Sequence, residues 1–167
     1  MKYIKFIWAL SLFIFLGYSL LAYIYFPDSG VMVIGATKDA SATVMSKSDF
    51  FYTSMGVLLF INIALVGLGA SVLHLPQQLI LVPNKSKWLA TKETQQQLLE
   101  GVKGWTKGLA TLINGLLLAT LGMIYRAQGH DIEAPKVEYS PMVFSILIVG
   151  WLLAYFFIMK VPKATED

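Results

Sequence analysis

The sequence predicts an all-α integral membrane protein, a bundle of four transmembrane helices with a short interfacial amphipathic helix between the second and third. Three observations carry that prediction. Of 167 residues, 56% are hydrophobic and 14% charged, with a mean hydropathy of +0.64, whereas a soluble domain carries roughly 25% charged residues. A chain of this length cannot hide so much apolar surface in one water-soluble core. The apolar residues fall into four runs, each close to the roughly 20 residues a helix needs to cross the hydrocarbon. The lysines gather in alternate segments between those runs.

The first run, about 6–26 (FIWALSLFIFLGYSLLAYIYF), follows Lys2 and Lys5. A cleaved signal peptide also begins with basic residues, but its apolar stretch is roughly 7–15 residues long and ends at a small-x-small site. Here the run is longer, and SLLAYIYFPDSG is bulky where it would need to be small, so a retained helix is expected. The second run is about 51–75 (FYTSMGVLLFINIALVGLGASVLHL).

Between the second and third runs lies LVPNKSKWLATKETQQQLLEGVKGW, residues 81–105. Thr91 is placed to cap a helix whose first turn contains Glu93, and Leu98, Leu99, Val102 and Trp105 then recur at i, i+1, i+4 and i+7. The polar side carries Lys92, Gln95, Gln96, Glu100 and Lys103. This pattern predicts a helix over about 91–104 that lies in the membrane interface and runs into the third span. Pro83 and Asn84 suit a turn before it, and Trp88 anchors the approach. The third run is about 105–125 and the fourth about 142–159 (MVFSILIVGWLLAYFFIM); the two hairpins show no residue-level repeat, and 1–167 reads as a single membrane domain.

Basic residues set the orientation. Lys2, Lys5, Lys85, Lys87, Lys92, Lys103, Lys107, Lys160 and Lys163 lie in one set of alternate segments, and Lys38, Lys47, Arg126 and Lys136 in the other. Both termini and the 76–104 segment are therefore expected in the cytoplasm. Tyr and Trp residues near the ends of the runs, among them Trp8, Tyr25, Tyr52, Trp105 and Tyr125, fit interfacial belts.

Almost no ionisable side chain falls at bilayer depth. Lys107 can snorkel from the start of the third span, and His74 ends the second. Proton-coupled transport usually needs a carboxylate or histidine near the midplane, so it is not expected. Asn62 and Asn114 sit mid-span in the second and third runs, where two amides on antiparallel neighbours can exchange hydrogen bonds. Helix adhesion is expected of them ahead of substrate binding. Small residues at four-residue spacing (Gly104/Gly108, Gly115/Ala119, Gly67/Ser71, Gly150/Ala154) permit close helix approach. The G-x-G in GLGAS (67–71) lacks the preceding strand that a nucleotide fingerprint requires.

No cofactor or metal is expected. With no cysteine there is no disulfide or thiolate site,. His74 and His130 are expected on opposite faces of the bilayer, so they cannot both ligate one haem. His130, Asp131 and Glu133 in GHDIE have the composition of an ordinary polar loop. The net charge of +3 is spread over short segments, which argues against a nucleic-acid partner,.

Two stretches, Met45-Ser46-Lys47-Ser48-Asp49-Phe50 and Pro83-Asn84-Lys85-Ser86-Lys87-Trp88-Leu89, resemble motifs of a bacterial membrane domain-of-unknown-function family. That family includes the immunity protein against the sporulation-delaying toxin and is here called SdpI-like. The resemblance covers about residues 20–125, with Ser46, Lys47, Phe50, Pro83, Asn84, Trp88 and Leu89 on the motif positions. The sequence departs at Ile34-Gly35, where the family has His-Phe, at Ser41-Ala42, where it has Pro-Asp, and at Val44, where it has an aromatic residue. The resemblance implies a helical membrane protein with no known enzymatic activity, some members of which confer toxin immunity or capture a repressor.

Three functions follow as expectations. The first is a non-catalytic polytopic protein of the immunity or signalling type, not an enzyme, with Lys85, Lys87 and Lys92 as candidate docking residues. Its expected partners are the lipid bilayer and another membrane protein or a second copy of the chain. The second is an accessory subunit of a larger respiratory, secretion or motility complex. The third is a small transporter with a polar pocket at Asn62 and Asn114.

Overall fold

Twenty-four residues from Lys2 to Tyr25, free of proline and of charge beyond Lys5, form the first helix, α1. The computed structural model describes residues 2–34, 43–128 and 139–160. Gly35, Ser41, Ala42, the loop residues His130, Asp131 and Glu133, and the VPKATED tail lie outside the described residues. After α1 come β1 (Val31–Ile34), β2 (Thr43–Met45), α2 (Lys47–Ser71), α3 (Lys85–Leu89), α4 (Lys92–Ala127) and α5 (Ser140–Ile158), with two single 3₁₀ turns at Val72–His74 and Gln77–Leu79. α1, α2, α4 and α5 are each long and apolar enough to cross a membrane.

Two differences from the sequence reading matter. β1 and β2 pair as an antiparallel hairpin, Val31 opposite Met45 and Met32 opposite Val44, where only a loop was expected. The second difference lies in α4. The 91–104 segment and the third span are one unbroken helix of 36 residues, about 54 Å long at 1.5 Å per residue. The amphipathic stretch does not form a separate element. Its apolar stripe is also covered by protein: Leu98 and Val102 are buried with Val72, Ile80, Val82, Trp88 and Met159.

Local chemistry sets the helix limits. Ser46 caps α2 by accepting from the Asp49 N–H at 3.1 Å. That helix stops at Ser71, short of the expected residue 75, because Leu75 precedes Pro76 and takes an extended conformation (ψ 147°),. Thr91 caps α4, and a reciprocal bond with Thr94 completes a capping box,. Pro141 occupies the first turn of α5, where its missing N–H costs nothing,.

α4 is the hub. It packs against α1, α2 and α5, whereas α1 and α2 touch each other far less. One apolar cluster joins α1, α2, α4 and the hairpin through Phe15, Phe26, Val31, Phe50, Leu58 and Leu121. Phe26 and Phe50 meet edge to face at 5.4 Å.

The attachment of α5 follows from glycine. A Cβ on Gly101 would meet Met159, on Gly108 it would lie 2.3 Å from Trp151, and on Gly115 it would lie 2.3 Å from Phe144. Glycines seven residues apart on α4 thus receive large side chains of the antiparallel α5. Reciprocal bonds lock the middle of this seam: Trp105 Nε1 donates to the Trp151 carbonyl at 3.1 Å, and Trp151 Nε1 to the Trp105 carbonyl at 3.0 Å. In lipid, where apolar burial gives helices little reason to associate, such close packing and hydrogen bonding must supply the adhesion.

Replacing Gly108 by Ala should cost about 1–3 kcal/mol, because the Trp151 ring has to move. Gly150→Ala, where a Cβ meets nothing within 4 Å, should leave stability unchanged or slightly raised. Denaturation in detergent micelles, followed by tryptophan fluorescence, compares the two.

Candidate functional site

Four polar side chains from three helices converge on one network. Asn62 of α2 and Asn114 of α4 are buried, at 5% and 1% exposure. Asn62 Nδ2 donates to Asn114 Oδ1 at 2.7 Å, and Asn114 Nδ2 returns a bond to Asn62 Oδ1 at 3.2 Å. The sequence reading anticipated that the two amides could meet. It did not anticipate α1, which closes the network: Trp8 Nε1 donates to Asn62 Oδ1 at 2.8 Å, and Asn114 Nδ2 donates to Ser11 Oγ at 2.9 Å. Trp8, expected in an interfacial belt, is thus half-buried with its N–H turned inward.

The count of bonds decides what these amides can do. Asn62 Nδ2 has a second acceptor in the Leu58 carbonyl at 2.8 Å, so both its N–H groups and both lone pairs of its oxygen are engaged. Asn114 keeps only one lone pair beyond those used. An arrangement so nearly saturated holds helices together and offers a solute little to bind.

An apolar cleft of about 190 Å³ lies elsewhere, between α2 and α4 beneath the hairpin, with Phe15, Val33, Met45, Phe50 and Leu121 among its walls. Its Ser54 and Thr120 hydroxyls are turned back to the carbonyls of Phe50 and Leu116 at 2.7 and 2.9 Å. On an adjoining wall the Ser19 hydroxyl is buried without a hydrogen-bond partner.

The two stretches singled out in the sequence, 45–50 and 83–89, lie at the start of α2 and beyond its end. At its start Ser46 is the cap, Lys47 pairs with Asp28, and Phe50 is buried against Phe26. The Lys47 ammonium holds the Asp28 carboxyl below the ordinary carboxylate range, by hydrogen bond first and charge second. Their pairing therefore persists above that range and is lost as pH falls through the lowered value. Lys47 also lies 5.5 Å from the centre of the Tyr23 ring. The hairpin is tied to the far end of α4 by Gln128, whose amide exchanges two 2.9 Å bonds with the backbone of Met32. Sequence reasoning passed over Gln128, since nothing in its neighbours marks it.

Beyond the end of α2, Pro83 and Asn84 form the expected turn. Asn84 has φ +53°, a left-handed conformation that Asn tolerates better than most residues. Its Nδ2 donates to the Lys160 carbonyl at 2.8 Å, and buried Trp88 donates to the Met159 carbonyl at 3.1 Å. Leu89 packs against the same cluster. The element therefore clasps the end of α5. Of the candidate docking lysines, Lys85 donates to the Gln77 carbonyl at 2.6 Å, while Lys87 and Lys92 are exposed.

His74 is exposed at the end of its 3₁₀ turn. Among the described residues no group of three His, Cys, Asp or Glu is placed to hold a metal ion. No protein-family model, curated protein or solved structure matches the chain.

A double-mutant cycle with Asn62→Leu and Asn114→Leu should give a coupling of about 0.6–2 kcal/mol. Each single change should cost about 1–3 kcal/mol, because it strands a buried partner. Equal, additive losses measured by unfolding in micelles would show that the amides do not cooperate.

Proposed function

We propose that the chain is a non-catalytic multi-pass protein of the bacterial inner membrane that acts by binding another protein, in the manner of the SdpI-like immunity and signalling family its motifs resemble. The observation that carries this reading is the saturation of the Asn62–Asn114 network. Transport through a polar pocket needs unspent hydrogen-bonding groups, and these amides have almost none. The basic face of the 85–92 segment supports a docking role at the cytoplasmic side, with Lys87 and Lys92 exposed and Lys85 committed to the backbone of Gln77. The excess of lysine on that side supports an orientation with both termini in the cytoplasm.

A specific observation favours a second reading, that of an accessory subunit in a larger membrane complex. α5 packs mainly on α4 and has no buried residue, and open space faces Gly150 and Gly67. Such faces suit another helix as well as they suit lipid.

Purification in a mild detergent separates the readings. A single co-purifying partner whose binding is lost in Lys87→Glu/Lys92→Glu is expected; stoichiometric recovery of several larger subunits would favour the second reading. Orientation is checked independently, because the chain has no native cysteine. A cysteine introduced by Ser86→Cys should resist a membrane-impermeant thiol reagent in intact cells and react once the cells are opened.

A further inference from the structure

α1 and α4 run in the same direction, which brings Lys5 and Trp8 near the start of α1 beside Lys103 and Lys107 of α4. The Lys107 ammonium lies 5.4 Å from the centre of the Trp8 ring. Lys103 is one turn away on the same side of α4, and Lys5 lies three residues before Trp8 on the same side of α1,. Three like charges therefore share one patch. Among the described residues, no carboxylate lies within ion-pair distance of any of them. Glu100, on the same helix, accepts instead from Gln96 at 3.2 Å, and α1 has no acidic residue in its first turn.

Depth narrows the choice of counter-charge. Lys107 is seven residues from Asn114, about 10 Å along the helix axis, and Asn114 lies in the middle of the apolar run. The ammonium thus stands near the edge of the hydrocarbon, within reach of the headgroup layer by snorkelling. Trp8 fixes one side of it, since its own N–H is held by Asn62 at 2.8 Å.

We propose that Lys5, Lys103 and Lys107, seated against Trp8, form a binding site for the phosphate of an anionic phospholipid. The lipid supplies the counter-charge that the described residues do not, and its acyl chains run along the exposed apolar faces of α1. Three donors from two helices engage one phosphate, so the bound lipid bridges α1 and α4 at the end where neither is joined to the other by a loop. The proposal needs the chain to sit in a bilayer but does not depend on the identity of any protein partner.

Native mass spectrometry of the full chain, released from micelles doped with phosphatidylglycerol or phosphatidylcholine, tests the site. Phosphatidylglycerol should be retained in preference to phosphatidylcholine, and retention should fall by about fivefold for each lysine removed. The Lys5→Gln/Lys103→Gln/Lys107→Gln variant should bind the two lipids alike, while Lys87→Gln/Lys92→Gln should match the unaltered chain. If the triple variant does not fold, Lys103→Gln alone, which leaves the Trp8 contact in place, should still show a loss of about fivefold. Equal retention in the altered and unaltered chains would overturn the proposal. So would tight binding of inorganic phosphate with no preference between the lipids, which would indicate a simple anion site. Loss of a protein partner in Lys87→Glu/Lys92→Glu with lipid retention intact, or the reverse, tells the failure of one reading from the failure of the other.

Discussion

A carboxamide in hydrocarbon has no water to turn to, and this constraint governs the arrangement of the helices. Asn62 and Asn114 can be satisfied only if α2 and α4 rotate their mid-span positions toward each other. Once they do, the remaining groups on the pair select α1, because Trp8 and Ser11 supply the missing donor and acceptor. One polar cluster thus sets the rotation of three helices about their own axes. With that side of α4 committed, its other side presents Gly101, Gly108 and Gly115, and α5 can seat there only through large side chains at matching intervals.

The legibility of this arrangement varied with the range of the interaction responsible. Hydropathy exposed the four long helices, because a spanning helix must be apolar along its whole length. Thr91 was readable as a cap, since capping is settled within four residues. The Asn62–Asn114 meeting was accessible because two isolated amides at equal depth have few other partners. Trp8 was not, for a tryptophan near a span end has an ordinary use at the headgroup layer, and only three-dimensional adjacency reveals another. The hairpin escaped notice because VMVI and TVM are too short for alternation to register. Continuity of α4 was hidden by a change of composition near residue 105, where polar residues give way to apolar ones without any change in the backbone. The glycines of α4 were read at a spacing of four, whereas the packing against α5 uses every seventh residue.

The stretches 45–50 and 83–89 do similar work at opposite ends of α2. Ser46, Lys47 and Phe50 shape its beginning and join it to the segment after α1. Asn84 and Trp88 follow its end and hold the last carbonyls of α5. These residues secure the scaffold, and Lys87 stands exposed among them.

The length of α4 has a geometric consequence. The helix carries the hairpin at one end, through Gln128, and the clasp around α5 at the other, through Leu98 and Val102. No loop interrupts the 36 residues between, so both ends hang on one continuous hydrogen-bonded element. The hairpin and the clasp are therefore set apart by the rise of a single helix about 54 Å long,, so their separation follows from residue count alone.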